Sequence, residues 1–294
     1  MKNNPIIAHL ALFIANLIYA LNYGWAKDVM ADDYVKPFAF ILLRVLGAGI
    51  LFWITSVFYF EKVDKKDLFK MALCGLFGVA ANQMMFFSGL NLTSTINASI
   101  IMVCSPIIVA ILSFIIIKDK LTIVKIIGIA LGLIGACLLI INNASSDGQG
   151  SYFGDILILL NASSYGLYLI LLVPLMKKYS PITVIKWVFT FGLIYVIPFS
   201  LSQVSEISIQ MPSDIIMKIG FVILFTTFFA YLLNIYGVSK LSPTIVSTYI
   251  YLQPLLTSFI AIITGREKIT YIIIIACLLI FTGVYLVSKR LENR

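Results

Sequence analysis

The chain repeats itself between GLNLTSTINASIIMVCSP at residues 89–106 and GVSKLSPTIVSTYIYLQP at residues 237–254. Both stretches have glycine first, serine sixth and eleventh, and proline last. The match extends at the same offset from residues 75–141 to residues 223–289 without a gap. The sequence therefore indicates an internal duplication, with two copies of similar fold.

The composition indicates that most of the chain is surrounded by lipid. Of its 294 residues, 61% are hydrophobic and only 12% are charged, and its mean hydropathy is +1.04. Soluble domains average about 45–50% apolar and about 25% charged residues. The apolar runs take up so much of the chain that no soluble domain is expected beside them.

The apolar runs predict ten membrane-spanning helices, because each is close to the roughly 17–25 residues that cross a bilayer. A β-barrel would need alternating strands of about ten residues, and the sequence has none. We therefore expect an all-α polytopic membrane protein with ten transmembrane helices in two five-helix repeats. The predicted helices lie at approximately residues 6–26, 37–60, 70–90, 96–117, 122–141, 153–175, 182–202, 215–237, 244–264 and 270–288.

A polar segment in the middle of the chain divides it into two units. Residues 142–150 read NNASSDGQG, which is rich in the small and polar residues that favour loops. The sequence predicts a first repeat at residues 6–141, a linker at residues 142–152 and a second repeat at residues 153–288.

Lysine and arginine are distributed unevenly between the two ends of the predicted helices. With a cytoplasmic N-terminus, fifteen of the 21 basic residues lie on the cytoplasmic side and five on the opposite side. Short cytoplasmic loops of membrane proteins carry such an excess. We therefore expect both termini in the cytoplasm, and we attribute the net charge of +8 to membrane topology rather than to nucleic acid binding.

The number of helices per repeat gives the two copies opposite orientations. Five is odd, so the second copy must cross the membrane in the opposite sense to the first. The triplet KDK at residues 118–120 and its counterpart REK at residues 266–268 then lie on opposite faces. Inverted repeats of this kind are found in secondary transporters, whose substrate sites lie between the copies near mid-membrane.

Polar side chains at membrane depth identify a candidate substrate cavity. Unpaired amides in hydrocarbon cost several kcal/mol each, so these groups must bond across helices or line a polar cavity. For any single residue, hydrogen bonding between helices is the alternative role. The candidates are Tyr19, Asn22, Arg44, Asn82, Asn97, Tyr165, Tyr168, Tyr231, Asn234, Tyr249 and Gln253.

Arg44 is the one arginine well inside an apolar run, FAFILLRVLGAGILFWI. A buried guanidinium should face the bundle and have a partner. One interpretation is contact with an anionic group such as a substrate carboxylate, and the other is extension of the side chain toward the membrane surface. No aspartate or glutamate has a deep central position, so a carboxylate proton relay has no evident place. His9 lies early in the first helix and is more consistent with an interfacial position.

Prolines and glycines at equivalent positions suggest bends and close contacts. Pro106 and Pro254 each remove a backbone hydrogen bond from a predicted helix, and we expect them to act as hinges. The glycines of the fifth and tenth helices permit close helix contact. These helices could form an internal packing surface, a homodimer interface or a lipid-facing surface.

The sequence excludes common enzyme classes. It has no GxxxxGK[ST], HExxH or GxSxG motif and no pair of catalytic carboxylates. The four cysteines lie inside apolar segments without the spacing of a metal site. We therefore expect no catalytic residue, no metal and no cofactor.

These residues together resemble the EamA-like members of the drug/metabolite transporter superfamily. Tyr19, Asn22 and Lys27 resemble the family's first-helix pattern, although Tyr19 and Ala20 stand where Trp-Gly is frequent. Pro37 followed by Arg44 is similar to the second-helix pattern. The remaining similar segments are residues 89–106, 118–135, 237–254 and 266–283.

The resemblance implies a secondary transporter of the bacterial inner membrane. We expect alternating access through a central cavity and export of small metabolites such as amino acids. A multidrug or nucleoside and base efflux transporter, or a non-transporting membrane sensor or assembly subunit, remains an alternative. The expected partners are a small-molecule substrate and the lipid bilayer.

Overall fold

The structure, a computed structural model, describes residues 5–30, 34–59, 61–93, 95–142, 151–208, 211–263 and 270–288. Within these ranges no residue forms a β-strand. The helices are α1 Pro5–Met30, α2 Pro37–Ser56, α3 65–92, α4 95–117, α5 Ile123–Asn142, α6 Tyr152–Met176, α7 Pro181–Val204, α8 Ser213–Lys240, α9 243–263 and α10 Tyr271–Ser288. This all-helical architecture with ten helices confirms the predicted fold class.

Nine of the described helices are long and apolar enough to cross a membrane. The tenth, α9, is divided by a three-residue 3-10 turn at Tyr249–Tyr251. The largest extensions beyond the predicted ends are in α3, which begins at Lys65 rather than near residue 70, and in α1, which continues to Met30. Hydropathy marks the apolar part of a helix, whereas backbone hydrogen bonding continues into charged turns such as the one that contains Asp67.

α3 and α8 each contain a wide π-helical turn at the same place in the repeat. The turn covers Leu76–Ala80 in α3 and Val222–Phe229 in α8. The offset of the sequence repeat places residues 76–80 on residues 224–228, inside the second turn. Such turns are rare, and they occur frequently at functional sites.

α4 and α9 are both interrupted just before a proline. α4 consists of Thr95–Val103 and Ser105–Ile117, with Pro106 in the first turn of the second segment. A proline leaves the carbonyl four residues earlier without its helical donor, and the Ser105 hydroxyl donates to that Met102 oxygen over 2.6 Å. In α9 the 3-10 turn precedes Pro254 in the same way.

The first helix of each repeat packs against the third and fourth helices of the other repeat. α3 and α4 of the first repeat pack against α6 of the second, and α8 and α9 of the second pack against α1 of the first. Two glycines permit this packing: a Cβ at Gly89 would lie 2.9 Å from Ile158 Cδ1, and a Cβ at Gly237 would lie 2.6 Å from Leu12 Cδ2. The repeats are therefore interlocked rather than side by side.

The small residues of α5 and α10 are used within the chain. A Cβ at Gly128 would lie 2.8 Å from the Gly283 carbonyl oxygen, and one at Gly135 would lie 2.9 Å from the Ala276 carbonyl oxygen. The outer surfaces of both helices carry exposed large apolar side chains, including Ile123. Homodimer formation stays a prediction, and its interface would have to use these outer surfaces.

Candidate functional site

Polar side chains from α1, α2 and α8 meet inside the bundle, and we call Tyr19, Arg44, Thr227, Tyr231 and Asn234 the Arg44 cluster. Asn234 Nδ2 donates to the Tyr19 hydroxyl oxygen over 3.1 Å. The side chains of Tyr19 and Tyr231 lie near the Arg44 guanidinium. Because α1 and α2 belong to the first copy of the sequence repeat and α8 to the second, both copies contribute to this cluster.

Arg44 faces the interior of the bundle. It is 7% exposed, and its Nε donates to Thr227 Oγ1 over 3.2 Å. Thr227 in turn donates to the Val222 carbonyl oxygen over 2.8 Å, inside the π turn of α8. The guanidinium carbon lies 5.7 Å from the ring centroid of Phe40 and 6.0 Å from that of Phe87. The cation is therefore flanked by aromatic rings and held by one threonine.

The π turn of α3 lies beside the Arg44 cluster, where it contacts tyrosines of α6 and α8. A Cβ at Gly78 would lie 2.3 Å from Tyr168 Cδ2, so only glycine lets the Tyr168 ring rest on this backbone. The Tyr231 hydroxyl donates to the Gly78 carbonyl oxygen over 3.4 Å. Tyr165 lies beside Tyr168, with ring centroids 6.4 Å apart. Tyr165, Tyr168 and Tyr231 thus surround one turn of α3.

Asn82 bonds across a helix interface. Its Nδ2 donates to the Asn161 carbonyl oxygen over 3.4 Å, and Asn161 Nδ2 donates to the Asn82 carbonyl oxygen over 2.6 Å. The neighbouring Gln83 is 4% exposed, and its amide lies beside the Tyr231 hydroxyl. Gln83 therefore fits the cluster better than Asn82, which the sequence analysis selected.

Tyr249 and Gln253 form a separate polar seam between α9 and α1. The Tyr249 hydroxyl and His9 Nδ1 are 2.7 Å apart, and Gln253 Nε2 donates to Asn16 Oδ1 over 2.9 Å. The seam runs along α1 from His9 toward the Arg44 cluster. It joins helices of different repeats.

The remaining predicted site residues have varied surroundings. Asn22 has an enclosed Oδ1 without a partner among the described residues. Asn97 lies on α4, and its side chain lies outside the described residues. Pro106 and Pro254 directly follow interrupted helical turns, as given above. Their role as hinges stays a prediction.

Ionic contacts join the first repeat to the second at the start of α2 and in the first turn of α3. Where α2 leads into α3, Lys178 Nζ and the Tyr179 hydroxyl both donate to Asp67 Oδ2 over 2.9 Å. The hydrogen bond with Asp67 raises the pKa of the Lys178 ammonium group. Where α2 begins, Lys36 pairs with Glu206. The sequence analysis identified neither contact, since each partner lies more than a hundred residues away in the chain.

The described residues contain no group of three His, Cys, Asp or Glu side chains that could hold a metal ion. They present instead two repeats of membrane helices that together enclose aromatic, amide and guanidinium groups. Two repeats that enclose polar groups near the middle of the bundle are typical of membrane transporters built from internal repeats.

The chain belongs to the EamA-like transporter family, whose sequence pattern matches residues 6–141 and 152–289. It is a multi-pass membrane transporter of the drug/metabolite transporter superfamily and not an enzyme. It accordingly works in a lipid bilayer on a small-molecule substrate.

Similar proteins span nearly the whole chain. An uncharacterized transporter of Archaeoglobus fulgidus is 24% identical over 96% of this chain and 97% of its own length. The uncharacterized transporter YyaM of Bacillus subtilis is 28% identical over 95% of this chain and 94% of its own length. A solved crystal structure with 17% identity has a TM-score of 0.79 and covers 97% of this chain and 99% of its own. This last likeness concerns the fold alone.

Proposed function

We propose that this protein is a secondary transporter that works by alternating access and binds its solute at the Arg44 cluster. The observation that carries the proposal is the origin of the cluster, because Tyr19 and Arg44 come from one repeat and Tyr231 and Asn234 from the other. Two inverted halves that share a site can open it to either face of the membrane with similar energy. Tyr165 and Tyr168 supply its aromatic wall.

The proposed topology has repeats at residues 6–141 and 153–288, joined by a linker at residues 142–152. The protein lies in the bacterial inner membrane with both termini in the cytoplasm. The excess of basic residues on that side supports this orientation. The transport direction is export, and the solutes are small metabolites such as amino acids. The family resemblance supports both assignments.

Solute counterflow into liposomes that contain the purified protein tests this function. We expect saturable counterflow of at least one solute class from a panel of amino acids, organic acids, nucleosides and cationic dyes. Tyr231→Ala removes a hydroxyl and a ring from the cluster, and we expect it to lower the rate about tenfold or more. Tyr271→Ala is the matched control, because Tyr271 is 74% exposed on α10.

The outcomes separate the alternatives. If specific binding persists while no solute moves under any gradient, the transport proposal is wrong and a sensor or assembly role is favoured. Saturable movement of several unrelated cationic dyes would instead favour the multidrug alternative. Equal rates for Y231A and Y271A would remove the Arg44 cluster from the transport path.

A further inference from the structure

The guanidinium of Arg44 is held on one side only. Its Nε donates to Thr227, while Nη1 and Nη2 make no hydrogen bond with any residue that the structure describes. Both nitrogens keep some accessible surface, although the side chain as a whole is only 7% exposed. Four N–H donors of a buried guanidinium therefore have no acceptor among the described residues.

No described aspartate or glutamate neutralises this charge. The ion pairs among the described residues all use lysine, and none of them involves Arg44. A buried cation without a partner is costly, and in membrane proteins such residues mark substrate or ion pathways. The site as it stands has one positive charge available to a ligand.

The surroundings of Arg44 limit the kind of ligand. Phe40 and Phe87 flank the guanidinium with apolar rings. The Tyr231 side chain lies near the guanidinium, with the buried amide of Gln83 beside it. A planar guanidinium matches a carboxylate through two parallel hydrogen bonds. The partly buried rings of Tyr165 and Tyr231 match an apolar or aromatic body.

The charge of the site also separates a carboxylate from a phosphate ester. A phosphate monoester carries nearly two negative charges, and the site offers one cation. Among the described residues the other buried cation is Lys186, which lies against the ring of Trp53 at 4.9 Å rather than in the Arg44 cluster. A single negative charge is therefore the better match.

Building on the proposed transport function, we propose that the solute is a small monoanionic carboxylate with an apolar or aromatic body. Its carboxylate binds Nη1 and Nη2 of Arg44, and its body packs against Tyr165 and Tyr231, whose rings are only partly buried. An α-ammonium group finds no carboxylate in the described cluster with which to form an ion pair, and the Arg44 cation repels it. Hydroxy acids are thus preferred to the corresponding amino acids, and amino acids to their amides.

Calorimetric titration of the purified protein tests this order. Three bodies, phenyl, indole and branched aliphatic, are each presented as the α-hydroxy acid, the α-amino acid and the amino acid amide. For at least one body we expect the hydroxy acid to bind about tenfold or more tightly than the amide, the effect of one charge-assisted contact. The proposal would be overturned if no carboxylate bound, or if the hydroxy acid, amino acid and amide of each body bound with equal affinity. Neither result requires a variant.

Variants then assign the preference to Arg44. In Arg44→Gln the difference between hydroxy acid and amide should fall below about threefold, while Arg44→Lys should keep part of it, because it retains the charge without the fork. Lys186→Gln removes a buried cation elsewhere and should keep the full difference. Should R44Q retain the wild-type preference, Arg44 is not the carboxylate site.

Uptake into liposomes separates this inference from the function on which it rests. If carboxylates bind at Arg44 but never cross the membrane, the transport function is contradicted and the carboxylate site is still supported. Amides that cross as fast as hydroxy acids in the wild-type protein would contradict the carboxylate site and leave transport standing.

Discussion

Thr227 determines the position in which Arg44 presents Nη1 and Nη2. It accepts from Nε and donates to the Val222 carbonyl, so one hydroxyl connects the cation to the π turn of α8. A side chain as long as arginine loses much rotational freedom when its Nε is fixed. Thr227 is therefore a positioning residue, and it acts on the solute through Arg44.

Thr227→Val should weaken carboxylate binding and leave amide binding nearly unchanged. The substitution keeps the shape of the side chain and removes both hydrogen bonds, so the guanidinium samples more orientations. We expect about three- to tenfold weaker binding of the hydroxy acid, from the loss of about 1 kcal/mol. Titration of both ligands measures it, with the maximal uptake rate as a second readout.

Thr226→Val is the matched control for this prediction. The Thr226 hydroxyl is enclosed and has no partner among the described residues, so replacing it should be neutral or slightly stabilising. If T227V and T226V behaved alike, the link between Thr227 and Arg44 would have no effect on binding.

The sequence predicted four of the five members of the Arg44 cluster, because tyrosine, asparagine and arginine inside apolar runs are visible without a structure. It did not single out Thr227 or Gln83 from their polar neighbours Thr226 and Asn82. The choice between adjacent residues depends on the rotation of the helix. A π turn inserts extra backbone and changes that rotation, and hydropathy carries no signal for it.

At the scale of helices, the glycine in the π turn of α3 determines how closely α6 approaches. Gly78 gives the Tyr168 ring direct contact with the backbone, and its carbonyl accepts from Tyr231. The Phe77 carbonyl beside it accepts from the Ser164 hydroxyl over 2.7 Å. The wide turn is thus stabilised by hydroxyls of α6 and α8, and these bonds join the aromatic wall to the cluster.

Gly78→Ala should destabilise the protein, whereas Gly49→Ala should not. A Cβ at Gly78 overlaps the Tyr168 ring, and overpacking of this kind costs about 1–3 kcal/mol. Nothing lies within 4 Å of a Cβ at Gly49 on α2, where alanine gains up to about 1 kcal/mol of helix propensity. The melting temperatures in detergent should shift in opposite directions. Equal shifts would show that the Tyr168 contact does not limit this turn.

At the scale of the whole molecule, two hydrogen-bonded seams lie near the N-terminal ends of the equivalent helices α1 and α6. On α1, His9 lies 2.7 Å from the Tyr249 hydroxyl of α9. On α6, which is the counterpart of α1, Asp155 accepts from Thr93 at the end of α3. With the repeats inverted, the first seam faces one side of the membrane and the second faces the other. Alternating access requires that they open in turn.

Breaking one seam should expose the interior from one side only. Tyr249→Phe and Thr93→Val each remove one hydrogen bond worth about 0.5–1.5 kcal/mol, which changes the open population about two- to tenfold. A reporter in the Arg44 cluster, Asn234→Cys, in a chain without its natural cysteines measures this through an impermeant thiol reagent in vesicles of both orientations. Y249F should raise labelling from the side of Pro5 and T93V from the opposite side. Ser163→Ala, which loses a bond within α6 only, should change neither. If labelling increased from the same side in both variants, the two seams would not face opposite sides of the membrane. The inverted pair of repeats would then not be the basis of alternating access.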